Sequence, residues 1–228
     1  MAHNFLAKVV FLPLMLGAVS SGSLLNACST PAQNQALPSP STANSQAPKP
    51  IDHSGMNHNS SMELGPADAE FDLRFIDAMT PHHQGAVEMA KAAQQQSKRP
   101  EIKKLAADII QAQNIEINQM QQWRKAWYPN TSNAPIAFNA QMGHSMPMDP
   151  SQRASMMMRM DLGTADQQFD LRFLNAMIPH HEGALVMAQD ALAKSKRPEI
   201  RKLAQAILAS QKAEIQQMEQ WKQSWYKQ

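Results

Sequence analysis

The chain has 228 residues, enough for one or two domains, and a formal net charge of +2, too small to point to nucleic acid. It holds 17 methionines but a single cysteine. One cysteine excludes an intrachain disulfide, a zinc ribbon and a thiolate-based metal chaperone, and it suits an oxidising compartment.

Lys8 precedes an apolar stretch from Val9 to Val19 that contains Pro13. The stretch is too short for a membrane span and predicts a secretory signal over residues 1–27. Leu25-Asn26-Ala27-Cys28 resembles a bacterial lipobox, so Cys28 is the expected lipidation site. The expected location is the periplasm or cell envelope, with the membrane touched only through that lipid. An ordinary cleaved signal with an incidental Cys28 is the alternative. Residues 28–64, rich in Ser, Pro, Ala, Asn and Gln, predict a tether that cannot bury enough apolar surface to order itself. The tether carries His53, Met56 and His58.

From here the chain repeats itself. Met79-Thr80-Pro81-His82-His83-Gln84-Gly85-Ala86 returns as Met177-Ile178-Pro179-His180-His181-Glu182-Gly183-Ala184, an offset of 98 residues. Residues 65–128 and 164–228 each predict a helical hairpin. In the first helix Phe75, Met79, His82, Ala86, Met89 and Ala93 recur at alternating steps of four and three. In the second, Ile102, Leu105 or Ala106, Ile109, Gln113, Glu116, Met120, Trp123 and Trp127 keep that rhythm. Such a stripe is the seam of a bundle. Gly65-Pro66 and Gly163-Thr164 are the expected starts, with Thr164 and Gln167 as a capping box. Ser97-Lys98-Arg99 and Ser195-Lys196-Arg197 form the turns, and Pro100 and Pro198 suit the first position of the following helices. Pro81 and Pro179 predict kinks just before the His pairs. Residues 129–163 predict a low-order linker carrying Met142, His144, Met146 and Met148. One hairpin cannot bury its stripe alone. Two can, so the expected fold is all-α: an antiparallel four-helix bundle made from two repeated hairpins.

Three seam residues per repeat are odd for a pure core: His82, Gln113 and Glu116, and then His180, Gln211 and Glu214. At 1.5 Å per residue, His82 and the Gln113–Glu116 segment both lie roughly 24–27 Å from the turn, so they face each other. Met79 and Met120 lie one turn away on the same faces, as do Met177 and Met218. Two readings follow. One is a satisfied polar layer, with His82 bonded to Glu116. The other is a metal site with imidazole and thioether ligands and the carboxylate orienting the ring. His83, beside His82, reads as a flanking ligand or a surface residue. Met89 and Met187 read as packing, as do the four tryptophans, which should lie over Phe71, Phe75, Phe169 and Phe173.

The segments between helices favour metal. His53, Met56 and His58, and then Met142, His144, Met146 and Met148, lie where no core needs them. Thioethers beside imidazoles, with no thiol, match copper: sulfur selects Cu(I), imidazole serves both oxidation states, and hard ions want oxygen.

The run Phe-Asp-Leu-Arg-Phe-x-x-Ala-Met-x-Pro-His-His-x-Gly-Ala is followed by Glu-Ile-x-x-Leu-Ala and Gln-x-x-Glu-Ile-x-x-Met-x-x-Trp. With these motifs the chain resembles the ferritin-like domain of unknown function 305 family, over about 66–128 and 164–226. The resemblance implies a ferritin-like four-helix bundle and the binding of exported or periplasmic copper. Its signature residues fall here on Met79, His82, His83, Met177, His180 and His181, with Gln113, Glu116, Met120, Gln211, Glu214 and Met218 across the seam. Glu88 becomes Val186 and Gln84 becomes Glu182 in the second repeat, so a carboxylate ligand at either place would make the halves unequal. The expected function is non-enzymatic: buffering or sequestering Cu(I)/Cu(II) outside the cytoplasm, in support of copper resistance. A ferritin-like metal-dependent oxidase is one alternative. It would want a Glu-x-x-His motif that these stripes lack. A metal-independent helical module binding a partner protein through its methionines is the other.

Overall fold

The computed structural model describes residues 62–228. The signal, Cys28 and the tether residues His53, Met56 and His58 lie outside the described residues. The elements in order are α1 (Phe71–Gln96), α2 (Pro100–Trp127), β1 (Ile136–Asn139), β2 (His144–Pro147), α3 (Pro150–Met157), α4 (Phe169–Lys194) and α5 (Pro198–Tyr226). The architecture is all-α with one small antiparallel β-hairpin, in which Ile136 opposes Pro147 and Asn139 opposes His144. Among the described residues no helix is long and apolar enough to cross a membrane.

The stripe residues fall where the periodicity puts them. Phe75, Met79, His82, Ala86, Met89 and Ala93 are all buried in α1. The turns are closed by serine: the Ser97 and Ser195 hydroxyls accept from the backbone N–H of Arg99 and Arg197. Pro100 and Pro198 then open α2 and α5 at positions that lack an intrahelical acceptor in any case.

The helix starts differ from expectation. α1 and α4 begin at Phe71 and Phe169, six residues after Gly65 and Gly163. The Thr164–Gln167 capping box does not form, because Thr164 Oγ1 donates to Asp166 instead. In its place each entry loop wraps an arginine. Arg74 donates to the carbonyls of Leu64 and Pro66 and pairs with Asp68. Arg172 does the same with Leu162, Thr164 and Asp166. Both helices run unbroken through Pro81 and Pro179.

The two hairpins meet along α1 and α4, the start of each packing against the later part of the other. One core cluster joins Phe71, Phe75 and Met79 of α1 to Ala184, Met187 and Ala191 of α4 and Ile200 and Ile207 of α5. The other joins Met89 and Ala93 of α1 and Ile102 and Ile109 of α2 to Phe169, Phe173 and Met177 of α4. Trp123 and Trp127 stack at 5.1 Å and pack on the first cluster, and Trp221 and Trp225 repeat this on the second. Each turn arginine reaches into the other hairpin. Arg197 lies 4.2 Å over Trp127 and pairs with Asp72. Arg99 lies 4.2 Å over Trp225 and pairs with Asp170.

The linker is not low-order. Beyond β1 and β2, α3 is capped by Asp149 and Gln152 in a full capping box. Asp77, Arg124 and the backbone fix this segment to the first hairpin: Arg124 donates twice to Asp77, which also accepts from the Ile136 N–H. Burial raises the Asp77 pKa in spite of the arginine. The second repeat carries Asn175 and Lys222 at the matching positions, so this attachment exists once.

Candidate metal centre

Between the two core clusters lies a buried polar layer. α1 brings His82 and His83 into it and α4 brings His180 and His181, and all four rings are at most 1% exposed. The pairing differs from expectation. His82 does not meet Glu116. Helix geometry turns neighbouring residues by 100°, and the ring facing α2 is His83. Its Nε2 lies 2.8 Å from Glu116 Oε2, and His181 Nε2 lies 2.6 Å from Glu214 Oε2. His83 is therefore an interior residue, not a surface one. The axial match between the His pair and Glu116 holds, displaced by one residue.

His82 and His180 point the other way, toward each other. Their rings stack at 3.9 Å with 16° between planes. His82 Nδ1 lies 2.9 Å from the Met156 carbonyl and Nε2 lies 2.9 Å from the His180 carbonyl. His180 Nε2 lies 3.1 Å from the Met157 carbonyl. The last turn of α3 thus lies over the stacked pair. Gly85 makes this possible: a Cβ there would sit 1.8 Å from the Met157 oxygen. Burial pushes the His82 pKa down to about 4, the nearby His83 and His181 push the same way, and the two carbonyls oppose without prevailing. Burial, followed by His82, His181 and His83, holds His180 well below the ordinary range as well.

Polar atoms without a partner concentrate here. Among the described residues, His83 Nδ1, His181 Nδ1, His180 Nδ1, Gln113 Oε1 and Gln211 Oε1 are buried and unbonded. Buried polar groups are normally satisfied, so such a set calls for a bound species. A neutral ring that donates Nε2–H to the carboxylate leaves Nδ1 as a bare lone pair. His181 is the same. Met79 precedes His83 by one turn and Met120 follows Glu116 by one turn, all fully buried but for the carboxylate. Met177 and Met218 repeat the arrangement about His181 and Glu214. Among the described residues no three His, Cys, Asp or Glu side chains converge on one point. A coordination sphere built here needs the thioethers, and a donor set of imidazole and thioether suits a soft ion.

The remaining expected ligands lie apart. Met142, His144 and Met146 are exposed on the β-hairpin, where His144 Nδ1 contacts the Met142 carbonyl and the Asn139 amide lies 3.7 Å from the Met146 sulfur. Met148 packs against the first core cluster, away from that tip. Glu88 is exposed and paired with Arg159, so it is spent on the segment after α3. Asp77, Arg124 and Arg74 anchor loops to the first hairpin at positions that the stripe periodicity does not mark. The paired change of Asp77 to Asn175 and Arg124 to Lys222 between repeats is the signal that marks two of them.

The repeated His-His helices, the carboxylates across the seam and the turn motifs belong to one family: residues 72–222 match the domain of unknown function family DUF305, and the chain is a member of it. Among solved structures it is similar to CopM. The Cu(I)-bound form is 41% identical, with 68% of this chain and 97% of that chain covered at a TM-score of 0.54. The Cu(II)-bound form is 43% identical over the same shares, with a TM-score of 0.55. A DUF305 protein from Streptomyces coelicolor is 31% identical over 64% of this chain and 88% of that one, with a TM-score of 0.51. The uncharacterized protein L153 of Acanthamoeba polyphaga mimivirus is 45% identical over 49 residues, which span 32% of its length.

Proposed function

We propose that the protein is an exported copper-binding protein that buffers or sequesters copper through two matched sites, one in each hairpin. His83 with Met79 and Met120 serves one, and His181 with Met177 and Met218 serves the other. Glu116 and Glu214 hold the rings. The observation that carries this reading is the pair of buried, unbonded Nδ1 atoms on imidazoles whose Nε2 atoms are held by carboxylates. The likeness to CopM, solved in Cu(I)- and Cu(II)-bound forms, supports copper as the cargo. In this reading the four long helices close as one ferritin-like antiparallel bundle around the His layer. Met142, His144 and Met146, with His53, Met56 and His58 of the tether, serve as weaker outer sites that gather copper for the interior. In this reading the leader and Cys28 serve to deliver the protein to the periplasm or cell envelope, where sequestration supports copper resistance.

No catalysis is needed for this role. A di-iron oxidase would gather carboxylates and Glu-x-x-His pairs at the bundle centre. Here each candidate imidazole has a single carboxylate beside it, and the residues one turn away are methionines. Competition dialysis against copper, iron, manganese and zinc tests the reading. It predicts copper-loaded protein. Iron-loaded, copper-free protein would overturn it and favour the oxidase.

A further inference from the structure

The outer faces of α1 and α4 are covered unequally. Among the described residues β1 and α3 pack on α1, and neither packs in this way on α4. Under that cover Asp77, Pro81 and Gly85 are buried, and Glu88 pairs with Arg159. The matching stripe of α4 is Asn175, Pro179, Gly183 and Val186. Asn175 is exposed, Val186 is 38% exposed, and Pro179 and Gly183 are half-buried.

The cover of α1 comes from the segment that precedes the second hairpin. At the 98-residue offset, the segment that precedes the first hairpin is its counterpart, and α3 corresponds to residues 52–59. The last residues of the two segments are alike. Met62-Glu63-Leu64-Gly65 returns as Met160-Asp161-Leu162-Gly163. Arg74 and Arg172 hold the Leu64 and Leu162 carbonyls at 2.6 and 2.7 Å.

The described part of the first segment already lies on α4. Met62 is buried, and its methyl is 3.5 Å from a Cβ built at Gly183. Lys194 of α4 donates to the Gly65 carbonyl at 2.8 Å. The chain therefore reaches Met62 at the middle of the uncovered stripe.

The ionic tie of the cover changes on both sides at once. Arg159 becomes Ser61 and Glu88 becomes Val186 at the same offset. Either change alone would strand a charge. Together they replace an ion pair with a contact that an uncharged chain can make. Residues 51–61 fit such a face: they hold Ile51 and Met56, and Asp52 is the one acidic or basic residue besides two histidines.

We infer that residues 51–61 lie along the outer face of α4, over Pro179, Gly183 and Val186, as the counterpart of α3 on α1. The inference does not depend on the copper reading. It places His53, Met56 and His58 along the helix that carries His180 and His181. The test uses the whole chain with Cys28→Ser, so that single cysteines can carry a nitroxide. Gln189→Cys puts the label on the exposed side of α4, and Lys103→Cys puts it on the exposed side of α2. The label on α4 is expected to broaden the amide signals of 51–61, and the label on α2 is not. Amide exchange in 51–61 should be slowed about 10-fold or more relative to a free chain, a sign of local order. Val186→Lys, which puts a charge on the face, should restore free-chain exchange with helical content unchanged. Free-chain exchange in the unaltered protein, with no broadening from the α4 label, would overturn the inference. So would broadening from the α2 label in its place. Broadening across a mixture of spin-labelled and isotope-labelled chains would also overturn it, because the face would then belong to a second copy.

Discussion

His82 and His83 are neighbours in sequence, yet the helix sends them to opposite tasks. His83 and His181 each face a carboxylate on their own hairpin and keep a bare Nδ1. His82 and His180 face each other and the carbonyls of α3, and hold the two hairpins and the crossing segment together. The same dipeptide thus holds a proposed ligand and a structural joint. The difference is sharpest between neighbours: His83 has one nitrogen on a carboxylate and the other unbonded, whereas both nitrogens of His82 lie against carbonyls.

The strongest way to break the central joint is steric. Gly85→Ala places a Cβ against the Met157 oxygen and should lower stability by about 3 kcal/mol, a cost typical of overpacking that backbone must absorb. Gly183→Ala meets only side-chain ends at 3.3 Å, and its gain in helix propensity offsets part of about 1 kcal/mol. Urea unfolding of the two variants checks this. Equal losses would mean that α3 is not docked at Gly85.

Acid attacks the same joint. The folded His82 pKa of about 4 lies below the ordinary 6.5. Between these values the unfolded chain binds more protons, so this contribution is complete above about pH 6.5 and fades as pH falls to 4. It amounts to about 3 kcal/mol at most. His180 shifts in the same direction. Unfolding midpoints at pH 7 and pH 4.5 should differ less in His82→Gln than in the unaltered protein. Parallel profiles would show that His82 does not titrate with folding.

The carboxylates sharpen the other half of the comparison. Glu116→Gln with Glu214→Gln removes the group that holds each tautomer and should weaken copper binding by about 10–100-fold, with the helices intact. Chelator competition measures it. Unchanged affinity would make the two glutamates mere pairing partners. The smallest effect belongs to the hairpin ties. Arg99→Ala or Arg197→Ala should cost about 1 kcal/mol each, the worth of a partly exposed cation–π contact, without altering copper affinity. Thermal unfolding with a parallel copper titration separates the two readouts.

Much of this was legible in the sequence. The 98-residue repeat and the three-four stripe place the helices, the turns and the level at which His faces Glu. Seam periodicity has a resolution of about one residue in angle, so the stripe points His82 at Glu116 whereas His83 makes that bond. The segment between repeats misled for a different reason. Its Ser, Pro, Met and Gln content looks unable to order itself, but its order comes from tertiary anchors: Asp77 and Arg124 at one end and the His82 and His180 rings at the other. The left-handed turn at Met158 is likewise not visible in composition.

The most direct test of the account is a Cu(I) titration against a competing chelator, comparing His83→Ala/His181→Ala with a β-hairpin variant lacking Met142, His144 and Met146. The account predicts that the first variant loses the tightest sites while its helical content stays near that of the unaltered protein, and that the second loses capacity but keeps them. Full high-affinity binding in the first variant, with its loss in the second, would contradict the account and assign copper capture to the hairpin tip.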